Sequence, residues 1–275
     1  MNNLEKKFVE TNYGKIFYFI NKPFPNRPMV VLIHGLSSNH TTWLNTINFL
    51  DENKYNSLAI ELRGHGLSDK SKKREIYNFE IFSDDLDKII EQEQIKKSIL
   101  VGYSFGGVLA IKYTILYQNK LSGLILLSAN YVNSLEYTSL FPFTWLLNIL
   151  SSSLAYLMLW QGRKNYLYYQ HGKVKGYWHS VRDGLRSMPI SINIWMIKMM
   201  GNHDYREEIK SIKVPTYIAY GRNDYFVTEK EAHDMHNAIP NSELITSPTL
   251  GHFIATNSQD EVNQMILEFL KKYAQ

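Results

Sequence analysis

Gly102-Tyr103-Ser104-Phe105-Gly106 is a G-x-S-x-G pentapeptide set between two segments of opposite character. Before it, Ser98-Ile99-Leu100-Val101 is a short apolar, β-branched run. After it, Gly107-Val108-Leu109-Ala110-Ile111-Lys112-Tyr113 reads as the start of a helix. A strand, a sharp turn and a helix hold the central serine on a strained corner with its hydroxyl exposed. Gly102 and Gly106 fit that corner because helix and strand backbones approach closely there. Few folds accommodate such a turn, so the pentapeptide constrains the rest of the chain.

The remaining segments agree with an alternating order. Phe8–Thr11 and Lys15–Ile20 flank Asn12-Tyr13-Gly14 as a hairpin. Met29–Ile33 is an unbroken apolar run, as expected of a strand buried on both faces, and it ends in His34-Gly35-Leu36-Ser37. Residues 41–53 read as a helix, and Ser57–Ile60 as a strand closed by Arg63-Gly64-His65-Gly66-Leu67-Ser68. Phe79, Phe82, Leu86, Ile89 and Ile90 recur at helical spacing over 79–93. Leu121–Ser128 is a further strand. After a break, Val214–Tyr220, a helix near 228–238, a strand near 242–246 and a helix near 259–273 follow. Strands alternating with helices predict an α/β fold, with a mostly parallel sheet covered on both faces. The expected division is a core of 1–130 and 207–275, interrupted by an insertion at 131–206.

The insertion holds Trp145, Trp160, Trp178 and Trp195, four of the chain's five tryptophans. No charged residue occurs from Tyr137 to Gly162. That length suffices for about one membrane crossing. Pro142, Asn148 and Ser151-Ser152-Ser153 argue against one, as does the interruption of a parallel fold. The segment reads as cap helices facing the main domain, with transient lipid or membrane contact as the alternative.

Net charge is +4, too little to argue for a nucleic-acid partner. The basic run Lys70–Arg74 lacks interleaved aromatic residues and reads as a solvated loop. The chain has no cysteine, which excludes disulfides, thiolate metal sites and a cysteine nucleophile. The first residues carry both charges and no apolar stretch, unlike a secretory signal, so a cytoplasmic location is expected, with the membrane periphery as the variant. His233 and His236 share a helix face at i, i+3, but no metal motif completes them. No cofactor motif is present: neither a P-loop nor a G-x-G-x-x-G occurs.

A serine hydroxyl needs a base, and the base needs an orienting carboxylate. His252, in Thr249-Leu250-Gly251-His252-Phe253, is the base candidate. Asp224, just past the strand at 214–220, is the acid candidate. Ser104, Asp224 and His252 all lie at carboxyl ends of strands, where open α/β sheets gather functional groups. Their chain order is that of an elbow-type triad. Taken singly, Ser104 suits a helix N-cap, Asp224 a turn and His252 a structural role; together they favour a triad. The oxyanion donors expected are the N–H groups of Phe105 and Leu36, with His34 and Gly35 shaping the loop. Tyr103 completes the elbow.

These motifs resemble the α/β-hydrolase superfamily, in its single-domain serine hydrolase branch with a helical cap. The resemblance rests on His34-Gly35, Arg63–Ser68, Gly102–Gly107, Gly221-Arg222-Asn223-Asp224 and Gly251-His252. It implies an eight-stranded, mostly parallel sheet with the first strands antiparallel and a cap inserted after the sixth. Ser104 stands where the epoxide hydrolase and haloalkane dehalogenase branches carry Asp, and the HGGG-type oxyanion motif is missing. Asn130, after the sixth strand, is not an acid that could replace Asp224. The activity implied is esterase- or monoacylglycerol-lipase-like, on a small-molecule ester with an apolar acyl or aromatic group. Two alternatives stay open. One is a C–C hydrolase of ring-cleavage products, for which Arg163, Arg182 and Arg186 could supply charge, or a cofactor-free perhydrolase. The other is a receptor-like binding protein with little turnover.

Overall fold

The computed structural model describes residues 4–133, 188–252, 255 and 258–274. Eight strands form one sheet: β1 (Glu5–Thr11), β2 (Gly14–Asn21), β3 (Met29–Ile33), β4 (Asn56–Ile60), β5 (Ser98–Tyr103), β6 (Leu121–Leu127), β7 (Thr216–Asn223) and β8 (Ser242–Gly251). Their spatial order is β1-β2-β4-β3-β5-β6-β7-β8. β1 and β2 form an antiparallel hairpin, β2 meets β4 antiparallel, and every later pairing is parallel. This is the sheet that the resemblance implied.

The helices that cover it are α1 (Leu44–Glu52), α2 (Phe79–Gln92), α3 (Phe105–Tyr117), α4 (Ile190–Met200), α5 (Glu229–Ala238) and α6 (Gln259–Tyr273). Alternate strand residues point to opposite faces, so each central strand feeds two cores. Val31 and Ile33 join Leu100, Leu124 and Leu126 beneath α2 and α3. Val30 and Leu32 join Ile99, Val101, Ile125 and Leu127 beneath α1 and α6. Strands buried on both faces read as continuous apolar runs, which is why periodicity alone could not assign their faces.

Several boundaries differ from the sequence reading. The helix expected over 41–53 is a 3₁₀ turn, His40–Trp43, followed by α1. Asn39 caps the start of the tight turn, its side chain accepting from Thr41 N–H. β8 runs to Gly251 rather than ending near 246, leaving His252 directly at its end. Lys70 departs from the solvated loop expected of 70–74. Its ammonium donates to the carbonyls of Gly66 and Ser68, and burial lowers its pKa to about 8.

Most of the insertion, including Trp145, Trp160, Trp178, the stretch 137–162 and Arg163, Arg182 and Arg186, lies outside the described residues. Its last part, 188–206, carries α4. There Ile192, Trp195 and Met196 pack into the core above α2, with Trp195 against Tyr77 at 5.5 Å between ring centroids. No helix among the described residues is long and apolar enough to cross a membrane.

Candidate active site

Strand order brings the candidate residues together. β3 and β5 are neighbours, with Ile33 opposite Gly102, so the His34 loop emerges beside the elbow. β6 separates β5 from β7, with Tyr103 opposite Leu127 and Leu127 opposite Ala219. A register shift lies between Gly221 and Asn223 on β7, where Ser247 and then Gly251 are the partners on β8. The extra residues on β8 make a bulge that carries His252 to the level of Asp224.

Ser104 has φ 51° and ψ −117°, a conformation strained for any residue bearing a Cβ. Its backbone is held on two sides: its N–H donates to Leu127 O, and its carbonyl accepts from Gly107 and Val108. The side chain makes no helix-cap hydrogen bond. Ser104 Oγ instead lies 2.9 Å from His252 Nε2. The close approach of helix to strand explains the flanking residues. A Cβ on Gly106 would meet the carbonyl oxygens of Ile33 and His34 at 2.5 Å, and one on Gly102 would meet Gly106 O at 2.6 Å.

His252 Nδ1 faces both carboxylate oxygens of Asp224, at 3.1 and 3.0 Å. With a proton on Nδ1 donated to that carboxylate, Nε2 presents a lone pair to the serine hydroxyl. The Asp224 side chain is fully buried. Burial alone would raise its pKa. The hydrogen bond and charge of His252, with the N–H groups of Val227 and Phe226, outweigh burial and hold it below the ordinary carboxylate value. The Phe226 ring also lies 4.7 Å from the imidazole, and that of Tyr103 5.9 Å.

The loop after β3 is braced by two buried histidines. His34 Nδ1 lies 2.8 Å from Gly35 O, and its Nε2 accepts from Leu62 N–H. His65 Nε2 accepts from Ser37 N–H at 3.2 Å. Burial drives His34 down to about 4 and His65 well below its usual value, so both rings stay neutral at pH 7 and keep their acceptor nitrogens. Ser37, in this loop, has φ 56°, a left-handed backbone like that of Ser104 on the neighbouring turn. From α4, Asn193 Nδ2 donates to Ser37 Oγ. Among the described residues, no acceptor takes the N–H of Leu36 or of Phe105. These are the two donors that the sequence singled out.

Sequence reasoning missed Asn193, the His65–Ser37 bond and the pair Asn130–Glu231 behind Asp224. The G-H-G of Gly64-His65-Gly66 was the one signal available for His65. His233 and His236 lie apart in function: His236 Nδ1 pairs with Ser242 Oγ, and His233 faces Glu229 at 3.9 Å. Among the described residues, no group of three or more metal-ligating side chains occurs.

A serine on a strained strand–helix turn, at the carboxyl edge of this sheet and against an imidazole, defines an α/β hydrolase. Residues 25–259 match the family model for serine aminopeptidase, S33 (Hydrolase_4), and the chain belongs to that family. It is 26% identical to the AB hydrolase superfamily protein YfhM of Bacillus subtilis, over 98% of this chain and 99% of that protein. It is 25% identical to a proline iminopeptidase of Thermoplasma volcanium, over 99% of this chain and 98% of the relative. The fold matches that of a thermophilic esterase from Thermogutta terrifontis with a TM-score of 0.79 at 21% identity, covering 98% of this chain and all of the other.

Proposed function

We propose that the chain is a serine carboxylester hydrolase working through Ser104, His252 and Asp224. The observation that carries this reading is the unbroken line from Ser104 Oγ through His252 to Asp224, at 2.9 and 3.0 Å. His252 Nε2 takes the hydroxyl proton as Ser104 Oγ attacks the ester carbonyl. Asp224 holds the Nδ1–H tautomer and stabilises the imidazolium that forms. The N–H groups of Phe105 and Leu36 receive the oxyanion of the tetrahedral intermediate. That intermediate collapses as His252 returns the proton to the leaving alcohol, leaving an acyl-Ser104. Water, deprotonated by His252, adds to the acyl carbonyl, and Ser104 leaves with its proton restored. No cofactor is needed by any step. A substrate with an apolar acyl or aromatic group suits the aromatic content of 131–206.

The family model and the iminopeptidase relative favour a second reading, in which the same machinery cleaves an amide after an N-terminal residue. The chemistry differs only in the leaving group, an amine that must be protonated as it departs.

The test is a panel of p-nitrophenyl esters of rising chain length beside prolyl and alanyl p-nitroanilides, on wild type and Ser104→Ala. Ester turnover that falls by about 10⁴- to 10⁶-fold in Ser104→Ala supports the proposal. Retained activity in that variant refutes the nucleophile. Anilide turnover without ester turnover moves the assignment to the second reading. Fluorophosphonate labelling with neither activity favours a C–C hydrolase or a binding protein with little turnover.

A further inference from the structure

Behind the triad's acid lies a buried polar pair that the mechanism does not use. Asn130 follows the end of β6, and Glu231 lies in the first turn of α5, 101 residues later. Both are buried, at 2% and 0% exposure. Asn130 Nδ2 donates to Glu231 Oε1 at 2.9 Å and Oε2 at 3.0 Å, and to Phe226 O at 3.0 Å. An amide nitrogen carries two protons, so one is shared across the carboxyl group and the other goes to the Phe226 carbonyl.

Phe226 is the link to the site. Its carbonyl is held by Asn130, its N–H donates to Asp224 Oδ1 at 2.8 Å, and its ring lies against His252. The neighbouring Val227 N–H donates to the same oxygen at 3.0 Å. Glu231 also accepts backbone hydrogen bonds from Tyr131 and Thr228. It therefore ties the chain leaving β6 to the loop between β7 and α5. The charged side chain facing it is Asp224, whose proximity adds to burial in raising Glu231 to about 8, against the pull of those donors.

We propose that Asn130 and Glu231 are positioning residues for the acid of the triad: by clamping the Phe226 carbonyl they aim the Phe226 and Val227 N–H groups at Asp224, and so fix the direction of its carboxylate toward His252. The proposal rests on the triad reading above. A loop lacking that anchor frees the peptide units that hold Asp224 Oδ1, and the carboxylate is then oriented by His252 alone. The pair itself touches neither Ser104 nor any reacting atom.

The experiment follows the rate at which a fluorophosphonate labels Ser104 across pH, which needs no known substrate. Asn130→Leu and Glu231→Leu each slow labelling by about 10- to 100-fold, since displacements of roughly 1 Å cost rates of that order. The acidic limb of the rate profile, which reports His252, moves by about half a unit or more in both. Glu231→Gln, which keeps the shape and an acceptor oxygen for Asn130, stays within about threefold of wild type. Should the leucine variants not fold, Asn130→Ser gives the same readout, because one hydroxyl proton cannot serve both Glu231 and Phe226. A drop in melting temperature with an unchanged labelling rate and an unmoved limb overturns the proposal. If wild type itself does not label, the triad reading fails separately. NMR titration of the His252 ring then decides: a shifted midpoint in Asn130→Leu upholds the positioning role, and an unshifted one refutes it.

Discussion

The buried carboxyl of Glu231 makes a strong prediction about stability. Burial and the nearby Asp224 raise its pKa from 4.5 to about 8. Between those values the folded chain keeps a proton that the unfolded chain has released. Stability therefore falls as pH rises through this window, by about 1.4 kcal/mol per pH unit. The full window of 3.5 units corresponds to about 5 kcal/mol, a large part of a domain's net stability. Glu231→Gln is isosteric with the protonated acid and does not titrate. The stability of the variant relative to wild type should rise by about 4 kcal/mol between roughly pH 5 and roughly pH 9. Urea unfolding of both proteins at matched ionic strength measures that difference. A difference that stays constant with pH to within about 1 kcal/mol would show that Glu231 is ionised in the folded chain at neutral pH. The burial argument would then be refuted.

Three other outcomes follow from the geometry. Asp224→Asn keeps the carbonyl oxygen on the Phe226 and Val227 N–H groups but turns an NH₂ toward His252 Nδ1. The imidazole is forced into the wrong tautomer, and kcat falls by about 10⁴-fold with little change in melting temperature. The buried His34 and His203, both lowered by burial to about 4, bind protons more weakly folded than unfolded, so stability is lost as pH falls from 6.5 through about 4. Each contributes about 3 kcal/mol to that loss, and His203→Phe should flatten the acid side of a stability–pH curve measured by calorimetry. Arg63 donates to Asp85 through Nε and Nη2 at 2.9 and 2.6 Å and is 1% exposed. Arg63→Met strands the carboxylate and should cost about 3–5 kcal/mol in urea unfolding, most of which Arg63→Met with Asp85→Leu restores.

The elbow was legible because its requirements are local. A short apolar strand, a pentapeptide of small residues around a serine and a following helix lie within one stretch of chain, and each leaves its mark on residue type. The candidates for acid and base, Asp224 and His252, were singled out by chain order and by their places after strands. The loop after β3 was singled out from His34-Gly35, while the brace that His65 puts on Ser37 was not legible, since a histidine between two glycines does not announce its partner. The helix expected over 41–53 began one residue earlier as a 3₁₀ turn, where the Asn39 side chain caps the Thr41 N–H.

By itself, then, the amino-acid sequence determined the alternating α/β order, the two-sided burial of the central strands and the three residues at their carboxyl ends. Those properties follow from residue type and short-range periodicity. Only the tertiary structure decided that the β7–β8 register shift brings His252 level with Asp224, and that Asn130 meets Glu231 behind them. A hydrogen bond between residues 101 positions apart depends on strand order and on a few tenths of an ångström in packing, neither of which is encoded in any local pattern.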